Sequence, residues 1–316
     1  MDLTAFSEKI QQLREQIRRV IIGQHQAVDL ILTAVLANGH VLIEGVPGVA
    51  KTLTARLVAR LVNAGFSRIQ FTPDLMPSDV LGTTVFNMKD SEFHFHEGPI
   101  FSDIVLVDEI NRAPAKTQAA LFEVMEEKQV SIDGTTYKMD DLFTIIATQN
   151  PVEQEGTYKL PEAQLDRFMF KIVMGYPTLD EEKTILQRHQ ANARLAKLED
   201  IKPIISKDSL LALRENMTAV LVDDSLLGYI AQIVHQTRTS KAVLLGASPR
   251  AAVAMLQASK AMALIYGRDY VTPDDIKMVA PAVLDHRIII SAEAEMQGYT
   301  ASKIVATLIN NVEVPK

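Results

Sequence analysis

The chain has 316 residues, 47% of them hydrophobic, with a formal net charge of −7 and no cysteine. That length suits about two domains with a core each, and the missing thiols exclude a disulfide framework and any thiolate metal site. The acidic balance argues against a broad nucleic-acid footprint, which needs lysines and arginines to neutralise phosphates. No apolar run approaches the roughly 18 residues of a membrane helix, and Met1-Asp2-Leu3-Thr4 lacks the basic and apolar regions of a secretory leader, so the sequence reads as cytoplasmic with no membrane segment.

Phe6, Ile10, Leu13, Ile17 and Val20 recur at helical spacing among charges, which predicts an amphipathic helix packed outside the core. Ile21-Ile22-Gly23-Gln24 breaks that pattern, and a second helix runs from Gln26 to Asn38-Gly39. The apolar run His40-Val41-Leu42-Ile43-Glu44 then leads into Gly45-Val46-Pro47-Gly48-Val49-Ala50-Lys51-Thr52, and helical spacing resumes from Leu53 to Leu61. Strand, glycine-rich loop and helix form the context of a Walker A phosphate loop. Its glycines let backbone N–H groups turn toward phosphate oxygens at a positive helix end, Lys51 reaches the β- and γ-phosphates, and the Thr52 hydroxyl can ligate magnesium. Ala50 stands where a second glycine is usual. A side chain there is expected to take negative φ, because positive φ is costly for alanine.

Ser67 to Thr72 alternates as a short strand, and Asp74 to Gly82 reads as a broken helix. Thr84 to Met88 and Glu92 to His96 form an insertion-like hairpin around Lys89-Asp90-Ser91. His94 and His96 share one strand face and could bind zinc with a third ligand; none is in view, so they read as a solvated face. Ile104 to Val107 is an apolar run closed by Asp108-Glu109, the form of a buried parallel strand with acids at its carboxyl end, where ligands of open α/β sheets sit. Asp108 would hold magnesium through its water shell, and Glu109 would orient an attacking water or take its proton.

Asn111 to Pro114 opens a helix over Ala115 to Glu127, and Val130 to Met139 reads as a hairpin with its turn at Asp133-Gly134. Phe143 to Thr148 is a further buried strand ending in Gln149-Asn150-Pro151, where Asn150 can hydrogen-bond a water or a γ-phosphate. Arg167 precedes a fifth strand, Met169 to Met174, and so falls at the end of the sheet opposite the phosphate loop. Five strands alternating with helices predict a parallel, helix-flanked sheet. Beyond Thr178 the strand signals vanish: Asp180 to Leu198, Ser206 to Met217, Asp223 to Thr239, Ser248 to Tyr266 and Thr272 to Leu284 all show helical spacing. The reading is therefore an α/β domain over 1–177 and an all-α domain over 178–316. Ser248-Pro249-Arg250 reads as N-cap, N1 and N2; a cation in a first turn opposes the helix dipole unless an anion meets it, which marks Arg250 as a phosphate contact. Asp285-His286-Arg287 and the tail from Met296 give no chemical lead.

Several stretches together resemble the MoxR family of AAA+ ATPases, relatives of magnesium chelatase subunits and MCM helicases. They are Phe71 to Leu75, Gly98 to Phe101, Asp108 to Ala113, Ala147 to Pro151, and Gly156-Thr157-Tyr158 with Leu160 to Phe168. The resemblance implies an AAA+ P-loop NTPase core with strand order 5-1-4-3-2, a helical lid, a helix-2 insert at Thr83 to Glu97 and a hexameric homo-oligomer. It implies ATP and Mg2+ as cofactors and a nucleotide-binding set of Gly23, Gln24, Gly45, Val46, Pro47, Gly48, Val49, Ala50, Lys51, Thr52 and Leu53. The metal ligands would be Thr52 and Asp108. The catalytic set would be Lys51, Glu109, Asn150 as sensor 1, Arg167 as arginine finger and Arg250 as sensor 2. Lys159 stands where the family usually has proline. The implied function is an ATP-hydrolysing chaperone or remodelling ATPase acting on a protein client with von Willebrand factor A domain partners, in maturation or metal insertion. The alternatives are a nucleotide-gated scaffold with negligible turnover and a nucleic-acid motor. The second is disfavoured by the acidic or neutral hairpin turns.

Overall fold

The computed structural model describes residues 3–151, 158–190, 198 and 201–315. The Gly156-Thr157 part of the family resemblance and the predicted helix beyond Gln190 fall largely outside them. The first half of the chain runs α1 (Leu3–Val20), α2 (His25–Leu36), β1 (Val41–Gly45), α3 (Lys51–Leu61), β2 (Phe66–Gln70), α4 (Pro77–Leu81) and the antiparallel hairpin β3 (Gly82–Asn87) and β4 (Glu92–Glu97). It continues through β5 (Ile104–Asp108), α5 (Ala115–Glu127), a second hairpin β6 (Gln129–Ile132) and β7 (Thr135–Lys138), then β8 (Thr144–Gln149), α6 (Glu162–Leu165) and β9 (Phe170–Met174).

Five of these strands form one parallel sheet in the order β2-β5-β8-β1-β9, which is the predicted 5-1-4-3-2 read from its other edge. Because successive side chains alternate between faces, each central strand feeds two cores. Val41, Ile43, Ile104, Leu106 and Ile146 pack with α2, α3 and the helical half of the chain, while Leu42, Val105, Val107, Ile145 and Ala147 pack under α5. All of these side chains are buried, as a parallel sheet covered on both faces requires. Phe95 of the first hairpin stacks on Tyr137 of the second, ring centroids 4.3 Å apart, and Phe86 and Phe93 pair near the first hairpin's tip.

The second half comprises α7 (Leu179–Gln190), α8 (Lys207–Asn216), α9 (Asp224–Thr239), β10 (Val243–Leu245), α10 (Pro249–Ile265), α11 (Pro273–Leu284), β11 (Ile289–Ile290), α12 (Ala292–Met296) and α13 (Ala301–Asn311). It is a helical lid, with one addition to the expected all-α pattern: β10 and β11 pair as a small antiparallel ribbon. Strands of three and two residues are too short to show a period of two.

The expectation that the first helix packs outside the core is overturned. Phe6, Ile10, Leu13 and Ile17 are buried, and α1 lies against both α3 and α10. Each such side chain contributes about 1.5–3 kcal/mol on burial. Arg14, beside this apolar face, pairs with Asp29 of α2 at 2.7 Å and lies over the Tyr266 ring. Helix α1 thus joins core and lid, and a single hydrophobic cluster runs from the sheet through α2 into α10.

Candidate active site

Parallel register brings the carboxyl ends of all five sheet strands into one row. Gly45 is paired with Met174, Glu44 with Gln149, Val107 with Ala147 and Gln70 with Asp108. The glycine-rich loop leaves this row and closes into α3. Gly48 takes φ 87°, a left-handed conformation that favours glycine, with nothing within 4 Å of where a Cβ would stand. Gly45 is tighter, for a Cβ there would stand 2.6 Å from the Met174 carbonyl.

Ala50 is at φ 66° and ψ 24°, against the expectation of negative φ. The residue caps α3 and must turn the backbone into the first helical turn, and that geometry decides the sign over the preference of alanine. Its carbonyl is held by both the Thr54 amide and the Thr54 hydroxyl, each at 2.9 Å. Lys51 folds back onto its own loop, donating to the carbonyls of Gly45 at 2.5 Å and Gln149 at 3.4 Å. Its ammonium therefore stands between β1 and β8, beside the buried Asn150.

Asp108 is buried and its carboxylate is fully engaged. One oxygen accepts from Thr148 at 3.1 Å and faces the Thr52 hydroxyl at 3.5 Å; the other pairs with Arg68 at 2.6 Å. Glu109 follows at φ 57°, a left-handed conformation uncommon for a side-chain-bearing residue. Its amide donates to the Thr148 hydroxyl at 3.0 Å, and its carboxylate accepts from Gln70 at 2.8 Å and pairs with Arg112 at 3.1 Å. Gly23 and Gln24 reach the same region from the start of α2. Both have positive φ, and the Gln24 side chain donates to the Gly175 carbonyl at 2.9 Å, one residue beyond the strand end that touches Gly45. Leu53 is exposed on the first turn of α3.

Arg167 and Arg250 lie elsewhere. Arg167 precedes β9, whose five residues rise about 3.3 Å each, and the Met169 amide donates to the His40 carbonyl just before β1, so Arg167 lies away from the Met174 end, at the amino end of the sheet. There it pairs with Glu126 of α5 at 2.6 Å. Arg250 pairs with the other oxygen of the same carboxylate at 2.9 Å. Hydrogen bonds from Arg250 and Arg167 hold the Glu126 carboxyl below the usual carboxylate range. The structure thus gathers Lys51, Thr52, Asp108, Glu109 and Asn150 at one end of the sheet, and sets Arg167 and Arg250 together at the other.

Four further residues enter the site that sequence reasoning did not single out: Arg68, Gln70, Thr148 and Glu126. The first three sit at or near the carboxyl ends of strands, and Gln70 and Thr148 could have been found by asking what neighbours Asp108 and Glu109 across the sheet. Glu126 has no such signal. The hairpin histidines stay apart from the row; His94 pairs with Asp90 at 2.8 Å on the exposed insert.

A parallel 5-1-4-3-2 sheet, with a phosphate loop after its first strand, paired acids at the tip of its third and a helical lid, defines a P-loop nucleoside-triphosphatase fold of the AAA+ class. Comparison with known proteins narrows this. A family model described as the ATPase family associated with various cellular activities (AAA) matches residues 40–170, and an AAA lid domain model matches residues 235–308. The chain is 48% identical over 301 residues to the uncharacterized protein YeaC of Bacillus subtilis, covering 95% of this chain and 93% of that one. It is 43% identical over 310 residues to Chaperone MoxR1 of Mycobacterium tuberculosis, covering 95% and 81%. A crystal structure from Cytophaga hutchinsonii, 42% identical, superposes with a TM-score of 0.90 over 100% of this chain and 97% of that one. The chain belongs to the MoxR family of AAA+ ATPases.

Proposed function

We propose that this protein is a magnesium-dependent ATPase that acts as a remodelling chaperone, in the cytoplasm, from a closed homo-oligomeric ring of six subunits. Its partners in this reading are von Willebrand factor A domain proteins, and its task is maturation of, or metal insertion into, a protein client. The identity to a relative named Chaperone MoxR1 supports the chaperone part; the partners and the task rest on the family resemblance alone. No helix among the described residues is long and apolar enough to cross a membrane.

Gly23, Gln24 and the loop from Gly45 to Leu53 would hold the nucleotide, and Thr52 with Asp108 would hold magnesium, whose charge offsets that of the phosphate oxygens. The left-handed Gly48 in a loop that closes into α3 suits phosphate, and the facing oxygens of Thr52 and Asp108 suit magnesium. Lys51 exchanges its two backbone carbonyls for phosphate oxygens. Glu109 gives up Gln70 or Arg112 and accepts the proton of an attacking water, or orients it. Asn150 hydrogen-bonds the water or the γ-phosphate.

One observation carries the reading: Lys51, Thr52, Asp108, Glu109 and Asn150 gather at one end of the sheet, and Arg167 and Arg250 lie side by side at the other. Arg167 and Arg250, side by side on Glu126, cannot reach the phosphate loop of their own chain. A head-to-tail neighbour in a closed ring brings them to the next loop, where an arginine finger contributes roughly 10³–10⁵ in kcat. The test mixes inactive Arg167→Ala subunits with inactive Lys51→Ala subunits. Shared sites should recover part of the activity, because some interfaces pair an intact Lys51 with an intact Arg167. A mixture that stays inactive while mixed rings demonstrably form would refute the assignment.

A further inference from the structure

We propose that Arg287 is a positioning residue that clamps the Arg167 loop to the lid, so that Arg167 and Arg250 meet the neighbouring site as one rigid unit. The proposal rests on the reading that these arginines act in trans. Arg287 follows α11, and its side chain is only 3% exposed. A guanidinium has five N–H donors in a fixed fork. Four of them go to the segment around Arg167: Nε to the Asp166 carboxylate at 2.7 Å, Nη2 to the carbonyls of Asp166 at 3.0 Å and Phe168 at 2.6 Å, and Nη1 to the Met169 carbonyl at 3.1 Å. The fifth returns to Val283 of its own helix at 2.6 Å. The adjoining His286, also buried, bonds the Phe168 carbonyl at 2.9 Å. The backbone on both sides of Arg167 is therefore held by two consecutive lid residues.

The second oxygen of Asp166 faces the start of α10, with the Ser248 hydroxyl at 3.4 Å and Arg250 at 4.0 Å. Glu126 then joins Arg250 to Arg167. Charge thus alternates along a chain of Arg287, Asp166, Arg250, Glu126 and Arg167, whose two ends meet only through the backbone that Arg287 holds on either side of Arg167, and every link between core and lid in it is polar. Stability alone does not call for this arrangement, since apolar residues of similar volume often serve as well as a buried ion pair. A cavity of about 230 Å³ also lies beside the joint, lined in part by Glu162, Ala163, Asp166, Leu245 and Ser248, so shape packing does not by itself fix the loop. What the fork fixes is the direction in which Arg167 leaves the backbone.

Arg287→Lys keeps the charge but not the fork. A reacting group displaced by about 1 Å costs on the order of 10²-fold, so turnover should fall roughly 10–10²-fold. ATP binding at the variant's own phosphate loop should stay within about twofold of wild type, because that loop is at the far end of the sheet. Mixed with Lys51→Ala subunits, the variant should recover part of the lost turnover; mixed with Arg167→Ala subunits, it should recover none. General weakening of the fold would instead lower ATP binding and resist rescue. Full activity in Arg287→Lys, or no rescue by Lys51→Ala while the Arg167→Ala and Lys51→Ala control pair is rescued, overturns this proposal and leaves the trans reading intact. If the control pair itself is not rescued in demonstrably mixed rings, the trans reading fails and this one with it. Should Arg287→Lys not fold, Asp166→Asn, which keeps shape and acceptor and removes the charge, is expected to give the same rescue pattern with a smaller loss. Failure of both variants to fold would make the joint merely structural and overturn the proposal.

Discussion

Replacing Ala50 with glycine isolates the strain stored in the phosphate loop. Ala50 holds φ 66° and ψ 24°, where a Cβ crowds the following carbonyl at a cost of about 1–2 kcal/mol that glycine does not bear. Glycine loses more backbone freedom on folding, which offsets about 0.5–1 kcal/mol of that gain. The net effect is a stabilisation of about 0.5–1 kcal/mol, and in a domain of 150–250 residues this raises Tm by roughly 1–4 °C. Nucleotide affinity should barely change. Thr54 pins the Ala50 carbonyl through both its amide and its hydroxyl, so contacts within the chain hold this shape and the strain should be common to the free and bound states. Calorimetric melting combined with titration of a fluorescent ATP analogue reads both quantities. An unchanged or lower Tm would refute the strain, and a tenfold gain in affinity would mean that the free loop is not preformed.

Lys51→Ala should weaken ATP binding by roughly 10–100-fold, the scale of a lost charged hydrogen bond, and an unaltered titration would remove Lys51 from the phosphate site. Gln70→Ala should raise basal turnover by up to about fivefold, because Glu109 no longer surrenders a hydrogen bond worth about 1 kcal/mol before it acts; a fall would mean that Gln70 orients Glu109 productively. Buried His40 accepts from the Ile145 amide at 2.9 Å and contacts the Met125 carbonyl, and burial lowers its pKa from 6.5 to about 4. Between those values the unfolded chain takes up a proton that the fold refuses. Stability from this group is therefore complete above about pH 6.5 and falls by about 3 kcal/mol as pH drops to about 4. Unfolding free energies measured at pH 7.5 and 4.5 should differ less in His40→Gln than in the parent, and equal differences would contradict the assignment.

Much of this architecture was readable because the core strands are short apolar runs with chemistry at their ends. Ile104 to Val107 followed by Asp108-Glu109, and Phe143 to Thr148 followed by Gln149-Asn150, announce a buried strand with polar groups at its carboxyl end. Periodicity gave α1 an apolar face but could not say what covers it, and α3 and α10 come from distant parts of the chain. The sign of φ at Ala50 follows from the turn into α3, which outweighs the local preference of alanine. Gln70, Glu126 and Arg287 were illegible for a different reason. Each is a lone polar residue whose role arises only when segments distant in sequence meet: Gln70 when β2 pairs with β5, Glu126 when α5 meets the start of α10, and Arg287 when the end of α11 meets the loop before β9. Helix α13 did carry a signal, with Ile304, Val305, Leu308 and Ile309 on one buried face behind the N-cap Thr300.

ATP hydrolysis at this site, with Glu109 handling the water, is the proposal on which the others depend. Steady-state phosphate release, measured at raised protein concentration with ATP and magnesium for wild type and Glu109→Gln, alongside ATP binding by both, tests it most directly. The wild type is expected to turn over ATP, and the variant to lose roughly 10²–10⁴-fold with binding retained. A wild type that binds ATP without releasing phosphate, or a Glu109→Gln protein that hydrolyses at the wild-type rate, would contradict it.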